Sequence, residues 1–154
     1  MVQHRSRLTV ADNSGAKILQ VIQPIGGSWK RKATLGQVVV GVVKGADPNG
    51  QVKNHEIVKI VIVRCKKEVR REDGSYVKFD DNAGVVIDND GNLRSTRIFG
   101  PIAREVRDAG YQKIVSLSYT VDPRAPHACV REDEMPVADV TEPKWKTDYK
   151  NLIE

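Results

Sequence analysis

Two cysteines, two phenylalanines and two tryptophans in 154 residues leave little from which to build a disulfide framework or an aromatic pocket. Cys65 and Cys129 are far apart and neither belongs to a C-x-x-C pair. A zinc knuckle or dithiol redox site is therefore excluded; reduced thiols are the default, although a single bridge between the two stays open. No apolar stretch approaches the roughly 20 residues that cross a bilayer. The longest, Val38 to Val43, is interrupted by Gly41. Met1–Leu8 carries His4, Arg5 and Arg7 without an apolar segment, so no secretory signal is expected there and residence in a cytoplasm or organelle matrix is. Glycine is also missing from one region: all 12 lie before residue 121, whereas four of the seven prolines fall in the last 33 residues.

What is present is positive charge, unevenly distributed. The chain carries 25 Lys and Arg against 20 Asp and Glu, a net +5. Residues 1–121 hold 20 basic and 12 acidic side chains, and residues 122–154 hold 5 and 8, so the two parts are +8 and −3. A stretch without Gly, rich in Pro and of mixed charge pairs poorly in a sheet. The expectation is one domain over 1–121 and an extended acidic arm over 122–154.

Within the first part, β-branched runs recur between Gly, Pro, Asn and Asp, as in a small all-β domain. Strands are predicted at Arg7–Ala11, Lys17–Ile25, Gln37–Val43, Ile57–Cys65, Tyr76–Phe79 and Gly84–Ile87. The near-continuous apolar run from Ile57 to Val63 fits a strand covered on both faces of a barrel or sandwich. Pro48-Asn49-Gly50, Asp73-Gly74 and Asp90-Gly91 supply turn residues. A helix is predicted near 101–109, with Pro101 at its first position and Gly110 closing it. It would place Arg104 and Arg107 on a neighbouring basic face.

The cations cluster. Lys30-Arg31-Lys32 follows Gly26-Gly27-Ser28-Trp29, while Arg64, Lys66, Lys67, Arg70 and Arg71 crowd one connection between strands. Such loops on a rigid frame give salt-dependent affinity for nucleic acid without sequence readout. Solvated surface charge is the alternative for any one cluster, and it weakens once Arg94, Arg97, Arg104 and Arg107 are added. Trp29 either stacks on a splayed base or folds back over the barrel. Trp145, between Lys144 and Lys146 and one turn before Tyr149, fits docking into a partner's groove, because the acidic arm is repelled by phosphate.

Enzyme signals fail. The Gly26-to-Lys30 stretch lacks P-loop spacing. Asp80 and Asp81, adjacent on a strand, would point to opposite faces, so a turn or a clamp on the basic loop explains them better than a metal site. His4, His55 and His127 lie apart with no nucleophile pattern. No catalytic residue, metal ligand or cofactor site is expected. A freestanding RNA-binding factor and a metal-dependent barrel enzyme using Asp80 and Asp81 stand as rival readings.

Three blocks then point to a family: Leu8 to Lys17 (LTVADNSGAK), Arg70 to Ala83 (RREDGSYVKFDDNA) and Thr96 to Arg107 (TRIFGPIAREVR). Their wording and order closely resemble the universal large-subunit ribosomal protein family L-fourteen, in its bacterial or organellar branch, over roughly the first 117 residues. The resemblance implies a mainly β fold: a small five-stranded β-barrel with hairpin additions and a short C-terminal helical region, to which this chain adds its arm. It further implies contact with large-subunit rRNA, intersubunit bridges with small-subunit rRNA, neighbouring large-subunit ribosomal proteins as partners, and a ribosome silencing factor as a ligand. On matching positions, Lys30, Arg31, Lys32, Arg64, Lys66, Lys67, Arg70, Arg71 and Lys78 would face rRNA, joined by Arg104 and Arg107. Thr96, Arg97 and Lys113 would lie on the bridge and silencing-factor surface. Two departures stand out. Asn54-His55 replaces a basic residue and Gly, with an altered turn expected, and Glu68 sits where Gly is usual inside the basic loop. The family offers no role for 122–154, where Trp145 and Tyr149 are the candidate anchors on a neighbour.

Overall fold

The computed structural model describes residues 1–121. In chain order the elements begin with β1 (Val2–Gln3), β2 (Arg7–Val10), β3 (Ala16–Pro24), β4 (Lys32–Ala33), β5 (Val38–Ala46) and β6 (Ile57–Arg64). They continue with β7 (Val69–Arg70), β8 (Tyr76–Val77), β9 (Ala83–Ile87), β10 (Ile98–Ile102), α1 (Glu105–Asp108), α2 (Gln112–Leu117) and β11 (Ser118–Val121).

Five strands close a barrel in the order β2-β3-β5-β6-β9. Consecutive neighbours are antiparallel, and β2 meets β9 in parallel, Thr9 opposite Ala83, to complete the ring. Alternation along β5 shows why these residues fold this way: Val39, Gly41 and Val43 are buried, while Val38, Val40 and Val42 are half-buried on the outer wall. Leu8, Leu19, Val21, Ile60, Ile62 and Val86 join the inner set. Two glycines make room for one side chain at the centre. A Cβ on Gly41 would stand 2.5 Å from Ile60 Cδ1, and one on Gly84 would stand 2.5 Å from Ile60 Cγ2. Buried Asp12 locks the ring, accepting from Ser14 N and Val86 N, each at 2.8 Å.

A second apolar cluster lies outside the barrel, where Val61, Val63, Val85 and Ile87 are covered by Ile98, Ile102, Val106 and Ile114. This cap differs from the helix predicted over 101–109. Gly100 and Pro101 belong to β10, which pairs in parallel with β11 (Pro101 opposite Thr120), and the helix is confined to Glu105–Asp108. Pro101 fits the strand because pairing and burial of Ile102 outweigh its preference for a helix start. The expected turns do form. Arg71 N donates to Ser75 O and Gly74, at φ +82°, closes the β7–β8 hairpin. Asp88 N donates to Asn92 O around Asp90-Gly91. At the Asn54-His55 turn, His55 adopts φ +65°, a left-handed conformation that glycine would take without cost, and Asn54 Oδ1 accepts from Gly45 N.

Candidate nucleic-acid interface

The first basic loop leaves β3 through Gly26 and Gly27. Lys30 N donates to Gly27 O, and the Lys30 stem lies so close over Gly26 that an added Cβ would stand 2.8 Å from its Cδ. The curl points Arg31 and Lys32 into solvent and leaves Trp29 88% exposed, so Trp29 does not fold back over the barrel. Gln3, His4, Gln23, Lys30 and Arg31 frame a cleft of about 560 Å³ beside it.

The second group surrounds the β7–β8 hairpin, where Lys66, Lys67, Arg70 and Lys78 are exposed. Asn82 Oδ1 accepts from Lys66 N and fixes the start of the loop, and Lys67 pairs with Glu68. That contact holds the Glu68 carboxyl below its usual range, so Glu68 neutralises a neighbour inside the basic loop. Lys30, Arg31, Lys32, Lys66, Arg70 and Lys78 make no ion pair with another described residue.

Arg64 and Arg71 behave differently from their neighbours. Arg64 is 9% exposed and lies at the end of β6 instead of on a loop tip. Its guanidinium forks onto Asp81, Nε to Oδ1 at 3.0 Å and Nη2 to Oδ2 at 3.2 Å. Nη1 donates to the carbonyls of Phe99 at 3.0 Å and Pro101 at 3.2 Å. A register irregularity between Ile62 and Arg64 sets Arg64 opposite Ala83 and beneath β10, which accounts for the inward turn. Asp81, in the bend after β8, is thus a clamp, but on the end of β6 and not on the basic loop. The Arg71 side chain is buried and forks onto Glu105 of α1. Burial opposes ionisation of Glu105, but the Arg71 hydrogen bond and the Arg71 and Arg104 charges hold its carboxyl below the usual range. This latch draws Arg70, Arg71 and Arg104 around one cleft that Glu72, Asp73, Glu105 and Asp108 also line, with Arg107 exposed further along α1. Arg94 is likewise committed, to Glu56 at 2.7 Å and Asp88 at 3.7 Å.

The third set is held by asparagines. Asn13 Oδ1 accepts from the backbone of Thr96 and Arg97, and its Nδ2 donates to Thr96 Oγ1. Lys113 Nζ reaches Asn92 Oδ1 at 3.1 Å. Thr96, Arg97 and Lys113 are all exposed. The organising role of Asn13 is absent from the sequence-based expectations, although the Asp12-Asn13-Ser14-Gly15 turn carries its signal in short side chains that bond nearby backbone. Trp145 and Tyr149 lie outside the described residues, as do Cys129 and His127.

Among the described residues, no three His, Cys, Asp or Glu side chains converge as a metal site, and no helix is long and apolar enough to cross a membrane. Cys65 is fully buried, and burial pushes its thiol pKa up, the reverse of an activated nucleophile.

A closed five-stranded barrel packed solid at its centre, with cations raised on braced loops, defines the class: a small β-barrel protein with a basic surface. The sequence matches the family of Ribosomal protein L14p/L23e over residues 1–121, and the chain belongs to that family. It is accordingly a structural protein of the large ribosomal subunit, located in the ribosome in association with rRNA and ribosomal proteins.

Proposed function

We propose that residues 1–121 bind large-subunit rRNA through two braced groups of cations, Lys30–Lys32 and the hairpin set Lys66, Lys67, Arg70 and Lys78, extended by Arg104 and Arg107. The observation that carries this reading is the division of labour among the basic residues. Arg64 and Arg71 hold elements in place from within, while Lys30, Arg31, Lys32, Lys66, Arg70 and Lys78 make no ion pair among the described residues. Lys and Arg displayed on a rigid frame neutralise phosphates while ordering only their own side chains, because the backbone beneath them is already fixed. Thr96, Arg97 and Lys113, held by Asn13 and Asn92, form the surface for small-subunit rRNA at intersubunit bridges and for a ribosome silencing factor. The extension 122–154 is a separate appendage whose Trp145 and Tyr149 anchor on a neighbouring ribosomal protein. The ribosome is that of a bacterium or an organelle.

The test is the salt dependence of binding to large-subunit rRNA by the full chain. Converting Arg70 and Lys78 to Ala should flatten the slope of log K against log salt by roughly 0.7–0.9 for each phosphate that is no longer neutralised. Wild-type affinity and slope in that variant would overturn the assignment.

A further inference from the structure

The outer wall of the barrel is covered unequally. Over β6 and β9 it is sealed by the cap, whereas over β3, β5 and the start of β6 it is open. Register places Gln20, Val42 and Ile57 in one outer row, Ile18 beside Lys44 in the next, and Val40 beside Lys59 on the other side. Ile57 is 67% exposed, and Ile18 is also exposed. Arg7 and Lys44 are exposed at the upper edge, and Lys59 lies half-buried with its Nζ on Asn89 O. The acids at its edges are already paired, Asp47 with Lys17 and both Glu56 and Asp88 with Arg94. An apolar strip with cations along it is a poor match for an RNA backbone, which offers phosphates but nothing to cover isoleucine.

This chain carries the complement. Between residues 132 and 142 it has Glu132, Asp133, Glu134, Asp139 and Glu142, no Lys or Arg, and the apolar residues Met135, Val137 and Val140. We propose that this acidic, apolar stretch docks on the open β3–β5–β6 wall of its own barrel, its carboxylates meeting Arg7, Lys44 and Lys59 and its apolar side chains covering Ile18, Val42 and Ile57. The connection is long enough. The stretch begins 11 residues after Val121, a reach of up to about 36 Å, against a domain radius of gyration of about 14 Å. Intramolecular attachment also keeps the local concentration of the stretch high without a second molecule.

The experiment uses the free full-length chain with labelled isoleucine methyls and an uncharged soluble nitroxide, which broadens methyls according to their access to solvent. In the native sequence, broadening of Ile18 and Ile57 should be at least about twofold weaker than in the full-length triple variant Glu132→Lys, Asp133→Lys, Glu134→Lys, in which the stretch no longer covers the wall. Lys44→Glu should give the same increase from the barrel side, and combining it with Glu134→Lys should reverse part of it. Unchanged Ile60 and Ile62 signals show that the barrel core is intact in each variant. Equal broadening in native and triple-variant chains would overturn the proposal. So would protection that grows with protein concentration, which would assign the wall to a second copy.

Discussion

Replacing Arg64 with alanine removes a guanidinium that bridges β6, Asp81 and the carbonyls of β10. Breaking a buried ion pair from one side costs about 3–5 kcal/mol. Here the Asp81 side chain is 41% exposed and regains water, so the pair contributes nearer about 2 kcal/mol. Removal of the donors to the Phe99 and Pro101 carbonyls adds roughly 1 kcal/mol, for a total of about 3 kcal/mol. With a urea slope of about 2 kcal/mol/M, the unfolding midpoint should fall by about 1.5 M. Gly100→Ala crowds the same contact from the opposite side, its Cβ 2.5 Å from Arg64 Nη1, and adds the strain of a non-glycine residue at φ +80°, so its loss should exceed that of the crowding alone. The control is Arg70→Ala, which should leave stability within about 0.5 kcal/mol while weakening rRNA binding. A midpoint shift below about 0.3 M for Arg64→Ala, or equal shifts for the two arginines, would refute the division between bracing and contacting cations.

Other outcomes follow from individual side chains. Gly84→Ala drives a methyl into Ile60 at the barrel centre and should cost about 1–3 kcal/mol in chemical denaturation. His55→Gly relieves a left-handed non-glycine residue and should raise the unfolding midpoint, by an amount corresponding to about 0.5–1 kcal/mol. The native Glu105 carboxyl is held below its ordinary range, so its contribution is present above the unfolded carboxylate value and lost as pH falls through the depressed native one. Denaturation from pH 7 downward should therefore show a steeper acid loss in the native sequence than in Glu105→Gln. In a Trp145→Phe background, Trp29 should emit as a solvent-exposed indole and be quenched by rRNA, and Trp29→Ala should weaken binding by about 1–3 kcal/mol if a base stacks there.

The five barrel strands are legible in the sequence because each has enough alternating or β-branched residues to signal its own state. The two-residue strands β1, β4 and β7 carry no such signal and exist through their partners, whereas the Tyr76–Phe79 run announces β8. The cap misleads for a related reason. Gly100-Pro101 looks locally like a helix start, and only pairing with β11 reveals a strand. Helix α2 escapes notice because Tyr111, at its N-cap, offers no side-chain hydrogen bond to announce it. Among the cations, composition locates the clusters but does not separate Arg64 from Arg70. Both follow β-branched residues, and the difference arises from a strand irregularity and from carboxylates 17 and 34 residues away from Arg64 and Arg71, respectively.

The latch between Arg71 and Glu105 makes the hairpin a prong. A ribbon with two residues in each strand is too short to hold its own shape in water. Tied to α1, it takes its position when the chain folds, and docking then requires no further ordering of it. The backbone positions that carry Arg70 and Arg104 are consequently set by the protein, so a flexible polyanion that engages both must shape itself to within the reach of two side chains from that gauge.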